Sequence, residues 1–278
     1  VKDIDATGVV RNVSSSTGGF VGQFRWGPLE QATLVSNEAD LVEKFGTPTP
    51  TTSVDFHSAA YFLKYTNALQ TVRVGDASTV NAFNEDSVSG TTIQIKDDDN
   101  FANQRSTLDA AKHTFAARWP GAIGNSLAVN ICTQSGNSDS AFTNWAYKNN
   151  FDAAPGTSAY ASGLNGSNDE VHVAIIDSDG AFSGTKGSVL ETFPFVSLAS
   201  DAKTADGSTN NIQDVINRKS EYIWMPGYPL RLTEANAGTD VTNNKDYQLS
   251  GGGDVINYRM TNGCLLYTSD AADEGLGV

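Results

Sequence analysis

The chain has 278 residues, with 32 Asp and Glu against 18 Lys and Arg for a formal net charge of −14. That length supports a sizeable core and about two domains. The acidic balance argues against a surface built to neutralise phosphate backbone, and so against direct nucleic-acid binding, and it suits a protein kept soluble at high concentration.

Val1 in place of Met carries the expectation that the natural start is missing, and no positive-then-apolar opening reads as a signal peptide. Residues 1–13, "VKDIDATGVVRNV", are polar with scattered β-branched residues and have no partner strand nearby in sequence. They read as an arm that needs a host sheet, with Val1, Ile4, Val9 and Val10 as its apolar contacts. From Gly19 to Trp26 the pattern is strand-like, Gly27-Pro28 makes a corner, and "ATLV" at 32–35 is a second short strand. Ser36 fits a helix N-cap, with Glu38 and Asp40 in the first turn where the helix dipole favours negative charge. Leu41, Val42 and Phe45 form an apolar stripe that Gly46 ends. A second helix is expected from about Val54 to Asn67, with Phe56, Ala59, Ala60 and Leu63 on one face. "LQTVRV" at 69–74 closes the unit as a strand.

Residues 77–115 change character. Polar stretches flank one alternating run, "TTIQIK", which suggests a surface insertion with at most a small hairpin. Strand patterns resume at 126–132, 170–177 and 188–198. A short helix at "NNIQDVINRK", with Ile212, Val215 and Ile216 on one side, leads to the strand "EYIWM" at 221–225. The sum is a mixed α/β (α+β) fold: a mixed or antiparallel sheet packed with a few helices, plus a β-rich polar insertion. No apolar run approaches the roughly 20 residues of a membrane helix.

The motifs of familiar chemistry fit poorly. Gly18, Gly19 and Gly22 miss the G-x-G-x-x-G spacing and precede no helix, and no glycine stands at P-loop distance before Lys-Ser or Lys-Thr. "GNSLA" at Gly124–Ala128 imitates a hydrolase elbow, but a strand pattern follows Ser126 where a helix is required. His57, His113 and His172 are far apart and form no metal pair or triad order. Asp97-Asp98-Asp99 and Asp177-Ser178-Asp179-Gly180 lack the calcium-loop positions of glycine and glutamate. The two cysteines, Cys132 and Cys264, suit neither a disulfide framework nor a zinc site, which points to a reducing compartment. No cofactor, metal or catalytic residue is therefore expected.

Four segments in order resemble the N-terminal region of contractile phage tail sheath proteins. The first is "GGFVGQFRWGP" with "VSNEADLVEKFG", "FHSAAYFLKY" and "LQTVRV", which contains Gly22, Trp26, Gly27, Pro28, Phe45 and Gly46. The second, "ARWPGAIGNSLAVNIC", contains Pro120, Gly121, Gly124 and Asn125. "FVSLASDAK" through "DVINRKSEYIWM" is the third, with Asn217 and Ser220; "YQLSGGGD" is the fourth, with Leu249, Ser250, Gly251 and Gly252. The resemblance implies that these are turn and packing residues.

It also implies a non-enzymatic virion subunit, assembled in the host cytoplasm into stacked six-membered rings around a tail tube. Its arms donate strands to neighbouring subunits, its partners are the tube, baseplate and tail terminator proteins, and its contraction drives the tube through the host envelope. On this reading residues 1–16 are the arm, 17–76 with 116–262 the core domain, and 77–115 a variable insertion. The end, 263–278, resembles a translated sequencing adapter and is expected to be non-native, with a C-terminal domain missing beyond it. "LSGGGDVINYRM" is then expected to have lost the partner it leads into. The alternative is a secreted acidic carbohydrate-binding or carbohydrate-active module, which would use Trp26, Trp119, Trp145 and Trp224 as exposed platforms.

Overall fold

The computed structural model describes residues 17–85, 92–110, 113–134, 140–250 and 252–264. Val1, Ile4, Val9, Val10 and Gly251, and the stretch 265–278, lie outside the described residues.

The first unit runs β1 (Gly18–Gly22), β2 (Ala32–Val35), α1 (Glu38–Phe45), α2 (Ser53–Leu63) and β3 (Leu69–Arg73). β3 is central: β1 pairs with it in parallel and β2 antiparallel. A parallel pair needs a long crossover, and the stretch from β2 through α2 supplies it. Phe24, Val35, Leu41, Phe45, Phe56, Ala59, Leu63 and Leu69 are buried together between the helices and one sheet face. The cap of α1 falls one residue later than expected. Asn37 is the N-cap, accepting from the Asp40 amide at 2.9 Å, while the Asp40 carboxylate takes the Ser36 amide at 2.8 Å. Gly46, at φ 77°, ends the helix by donating its N–H to Val42. α2 stops at Leu63, short of the expected Asn67.

The remaining elements are β4 (Phe83–Glu85), α3 (Asp98–Ala110), β5 (His113–Ala117), β6 (Leu127–Thr133), α4 (Ser140–Asn144), α5 (Ala159–Gly163), β7 (Glu170–Asp177), β8 (Ser188–Ser197), α6 (Ile212–Lys219), β9 (Ile223–Trp224), α7 (Leu230–Thr233) and β10 (Val255–Arg259). They build two antiparallel sheets, one ordered β10-β6-β7-β8 and one β4-β5-β9. The fold is α+β, as the pattern of alternating strand runs and amphipathic helices predicts. β6 and β7 are central and buried on both faces, so they read as near-continuous apolar runs.

Two expectations are corrected. The stretch read as at most a small hairpin contains the 13-residue helix α3, and Ile93, Ile95, Phe101 and Leu108 are buried with Phe83 and Trp224. α3 escapes the periodicity test because only Phe101 and Leu108 of its apolar residues longer than alanine turn inward, seven residues apart. The segment expected to have lost its partner has one within the chain: β10 pairs with β6 from Val255↔Cys132 to Arg259↔Ala128. Beyond it, Phe83 bridges Thr261 and Val80 bridges Cys264.

Candidate interaction surface and the frame behind it

The motif glycines and prolines of the first two segments converge on a residue that the sequence reading passed over. Arg73 ends β3 with its side chain turned inward, in step with Leu69 and Thr71, and it is fully buried. Its Nε donates to the carbonyl of Phe24 at 2.8 Å, Nη1 to Gly27 at 2.7 Å and Nη2 to Pro120 at 2.7 Å. A planar fork with fixed donors suits three carbonyls arriving from different directions. The turns are shaped to bring those carbonyls in. Gly27 has φ 98°, and a Cβ there would sit 2.7 Å from the Lys44 carbonyl; at Gly121, φ 142°, one would sit 3.2 Å from Arg73 Nη2. Trp26 donates its amide to Phe45, and Gly46 packs beside Trp26. Pro28 is buried next to this corner. Arg73 thus ties the β1–β3 unit to the turn before β6.

Other motif residues sit elsewhere. A Cβ on Gly22 would crowd Phe20 and Asp55. Gly124 lies against Ala117 and Ala82, and Asn125 exchanges two hydrogen bonds with the backbone of Gly263. Asn217 does the same with Met225, and the Ser220 hydroxyl donates to Glu191 and accepts from the Ile223 amide. Together these two fasten α6 to β9. Leu249 is buried, Ser250 is exposed, and Gly252 has φ 97°.

Several of the groups with catalytic or ligating potential named in the sequence are held in structural hydrogen bonds or buried. Ser126 donates to Asp177 at 2.5 Å and accepts from the Asp179 amide at 3.0 Å. The Asp177 carboxylate also takes the amides of Ala181, Phe182 and Ser183. Burial pushes this carboxyl up, but its donors, led by Ser126 and Ser183, outweigh that and hold it below the usual carboxylate range. His172 donates Nε2–H to Ala153 O at 2.7 Å and accepts the Phe195 amide at Nδ1. Burial lowers its pKa, against the opposing pull of the Ala153 bond. It fills a bulge: the β7–β8 register skips between Val171 and Val173, and Phe195 opposite has φ 51°. His113 is buried against Phe83, and His57 is exposed on α2. Burial pushes the Cys132 thiol up to about 12. Among the described residues no group of three His, Cys, Asp or Glu could hold a metal ion, and no helix is long and apolar enough to cross a membrane.

Trp26, Trp145 and Trp224 are buried and Trp119 is half-buried, so the exposed platforms that a glycan module would need are not where the alternative placed them. Most of what is large, exposed and apolar lies in the first unit. Val21 on β1, Leu34 on β2, and Val54, Tyr61, Phe62 and Tyr65 on and after α2 account for six of the eight large exposed hydrophobics among the described residues. Gly18 and Gly22 face α2, so Val21 and, by register, Leu34 lie on the other face of the sheet, and apolar side chains are exposed on two sides of the unit. A groove of about 1090 Å³ beside it, between β2, α1 and the loops carrying Trp119, Phe182 and Tyr222, is lined by both apolar and acidic residues.

Comparison with known proteins bears on the class of protein to which such a unit belongs. Residues 16–74, the unit that Arg73 pins, match the family model described as tail sheath protein Gp18 domain III, N-terminal region. In sequence the chain is similar to phage tail sheath proteins. It is 34% identical over 173 residues to the tail sheath protein of Salmonella phage ViI, covering 62% of this chain and 24% of that protein. It is 43% identical over 79 residues to the tail sheath protein of Enterobacteria phage T4, covering 28% of this chain and 12% of that one. The chain thus spans about a quarter or less of the curated relatives it matches. A sheath tail protein from Desulfitobacterium hafniense aligns with 93% of this chain and 38% of its own at 11% identity, with a TM-score of 0.39.

Proposed function

We propose that this chain is the N-terminal part of a contractile tail sheath subunit, a non-enzymatic component of the virion. Copies polymerise as stacked six-membered rings around a tail tube, and contraction drives the tube through the host envelope for genome delivery. The observation that carries the reading is the 34% identity over 173 residues to a phage tail sheath protein. The exposed apolar side chains of β1, β2 and α2 support it, because a subunit that works by tiling needs surface to lend. Residues 1–16 serve as an arm through Val1, Ile4, Val9 and Val10, residues 17–76 with 116–262 form the core domain, residues 77–115 are the variable insertion, and 263–278 are a non-native tail.

The partners in this reading are further copies of the chain, the tube protein, and the baseplate and terminator proteins. Direct nucleic-acid contact and membrane insertion play no part, and assembly takes place in the host cytoplasm. The test is coexpression of the full gene product with the small protein encoded by the neighbouring reading frame. A sheath assembled on a tube of that small protein is the expected product; two proteins that never co-purify would count against the reading.

A further inference from the structure

The groove beside the first unit has a floor of aromatic rings and a rim of carboxylates. Trp26 meets Phe182 edge to face at 5.0 Å between centroids, and Phe182 meets Tyr222 in the same way at 5.4 Å. Phe182 and Tyr222 are half-buried and line the groove, so they present open surface to it. Around them stand Glu43 of α1, Asp98 and Asp99 at the start of α3, and Glu221 before β9. Burial pushes the Tyr222 phenol above its ordinary range, and Glu191, Glu221, Asp177 and Glu43 push it the same way, which gathers these acids around one ring.

The cations that line the groove are already engaged. Lys44 Nζ pairs with Asp40 at 2.7 Å and donates to the Leu34 carbonyl at 2.7 Å. Arg118 pairs with Asp98 at 3.0 Å, donates to the Ser220 carbonyl at 2.6 Å and lies over the Trp224 ring at 3.9 Å. Glu43, Asp99 and Glu221 form no ion pair among the described residues. Uncompensated carboxylates beside open aromatic rings favour a cationic guest, which gains both Coulomb attraction and a ring face. One wall is β2, an edge strand on which Ala32 and Leu34 are exposed. A free strand edge accepts extended chain, whose alternate side chains then turn to opposite sides. The groove, about 1090 Å³, exceeds the usual range of a small-molecule site, about 300–1,000 Å³, which favours a segment of chain over a small cation.

We propose that this groove receives an extended peptide segment of a partner protein in which lysine or arginine alternates with apolar residues. The cationic side chains reach Glu43, Asp99 and Glu221, and the apolar ones lie on Phe182, Tyr222 and Leu34. The site does not depend on the sheath reading and stands or falls by its own test.

Fluorescence anisotropy of two short labelled peptides, added to the whole chain, supplies that test. One peptide alternates lysine with valine, the other glutamate with valine. The lysine peptide should bind at least about tenfold more tightly at low salt, and its binding should weaken as salt is raised. Glu43 and Glu221 are exposed, so Glu43→Gln with Glu221→Gln leaves the fold intact, and it should weaken the lysine peptide about tenfold. Glu38→Gln with Asp152→Asn removes the same charge from exposed positions outside the groove and should leave the affinity unchanged. Leu34→Ser should weaken binding about threefold through lost apolar contact. Equal binding of the two peptides would overturn the proposal. An equal loss from the two pairs of substitutions would overturn it too, reducing the effect to general attraction by an acidic chain. Spermine should fail to displace the peptide at equal concentration; displacement would contradict the proposal by making the groove a small-cation site. Self-association of the chain that Glu43→Gln with Glu221→Gln abolishes, without peptide binding, would overturn it by assigning the groove to a second copy.

Discussion

Arg73 and Pro120 are 47 residues apart in sequence, yet the Arg73 guanidinium donates to the Pro120 carbonyl at 2.7 Å. The same fork holds the carbonyls of Phe24 and Gly27. One side chain thereby fixes the β1–β3 unit, with its exposed apolar side chains, against the turn that opens β6. The rigidity of that joint sets how the first unit is held against the rest of the fold.

Arg73→Met should therefore destabilise the chain by about 3 kcal/mol or more, since it strips the donors from buried carbonyls whose desolvation costs about 1–3 kcal/mol apiece. Arg73→Lys should recover only part of the loss, because a single ammonium cannot span three carbonyls as the planar fork does. Urea unfolding of the three proteins measures both; a lysine variant as stable as the parent would show that charge alone suffices.

Two glycines of the first unit should respond oppositely to alanine. Gly27→Ala meets a positive φ and a carbonyl 2.7 Å away, and should cost about 1–3 kcal/mol. Gly19→Ala has nothing within 4 Å and should be neutral or slightly stabilising through the unfolded chain. Their melting temperatures decide the matter.

The first unit was legible because its local signals agree with its global role. Leu41 and Phe45 fall on the stripe that α1 buries, Phe56, Ala59, Ala60 and Leu63 on the one that α2 buries, and Gly46 ends its helix as it should. Arg73 was not legible, since a strand ending in arginine reads as reaching solvent; only its alternation with Leu69 and Thr71 hints that it points inward. α3 was missed for the opposite reason, a helix so polar that two inward residues carry its packing. The intrachain partner of β10 could not be inferred because the strands that pair, β6 and β10, are separated by more than a hundred residues and nothing local specifies the register. The four segments recognised as sheath-like are scattered in the fold, and the frame that joins the first two is a residue outside the recognised corners.

His172 makes stability depend on pH in a definite direction. Burial lowers its folded pKa below the ordinary value of about 6.5. Below that value the unfolded chain gains a proton that the folded site refuses, so this contribution is full above about pH 6.5 and is lost as pH falls through the folded pKa. The stability difference between pH 7.5 and pH 5.5 should shrink in His172→Gln. An undiminished difference would mean that other groups carry it.

Thr71 lies in the centre of the first sheet, fully buried, and its hydroxyl has no hydrogen-bond partner among the described residues. Thr71→Val keeps the shape and removes the unsatisfied oxygen, so it should be neutral or stabilise by about 1 kcal/mol. A loss of stability in thermal melts would reveal a partner for that hydroxyl.

The proposed sheath function requires copies of this polypeptide to tile with one another. Electron microscopy of the purified full gene product tests it most directly. Striated tubes of stacked rings are the predicted result, and monodisperse monomers under every condition tried would contradict it.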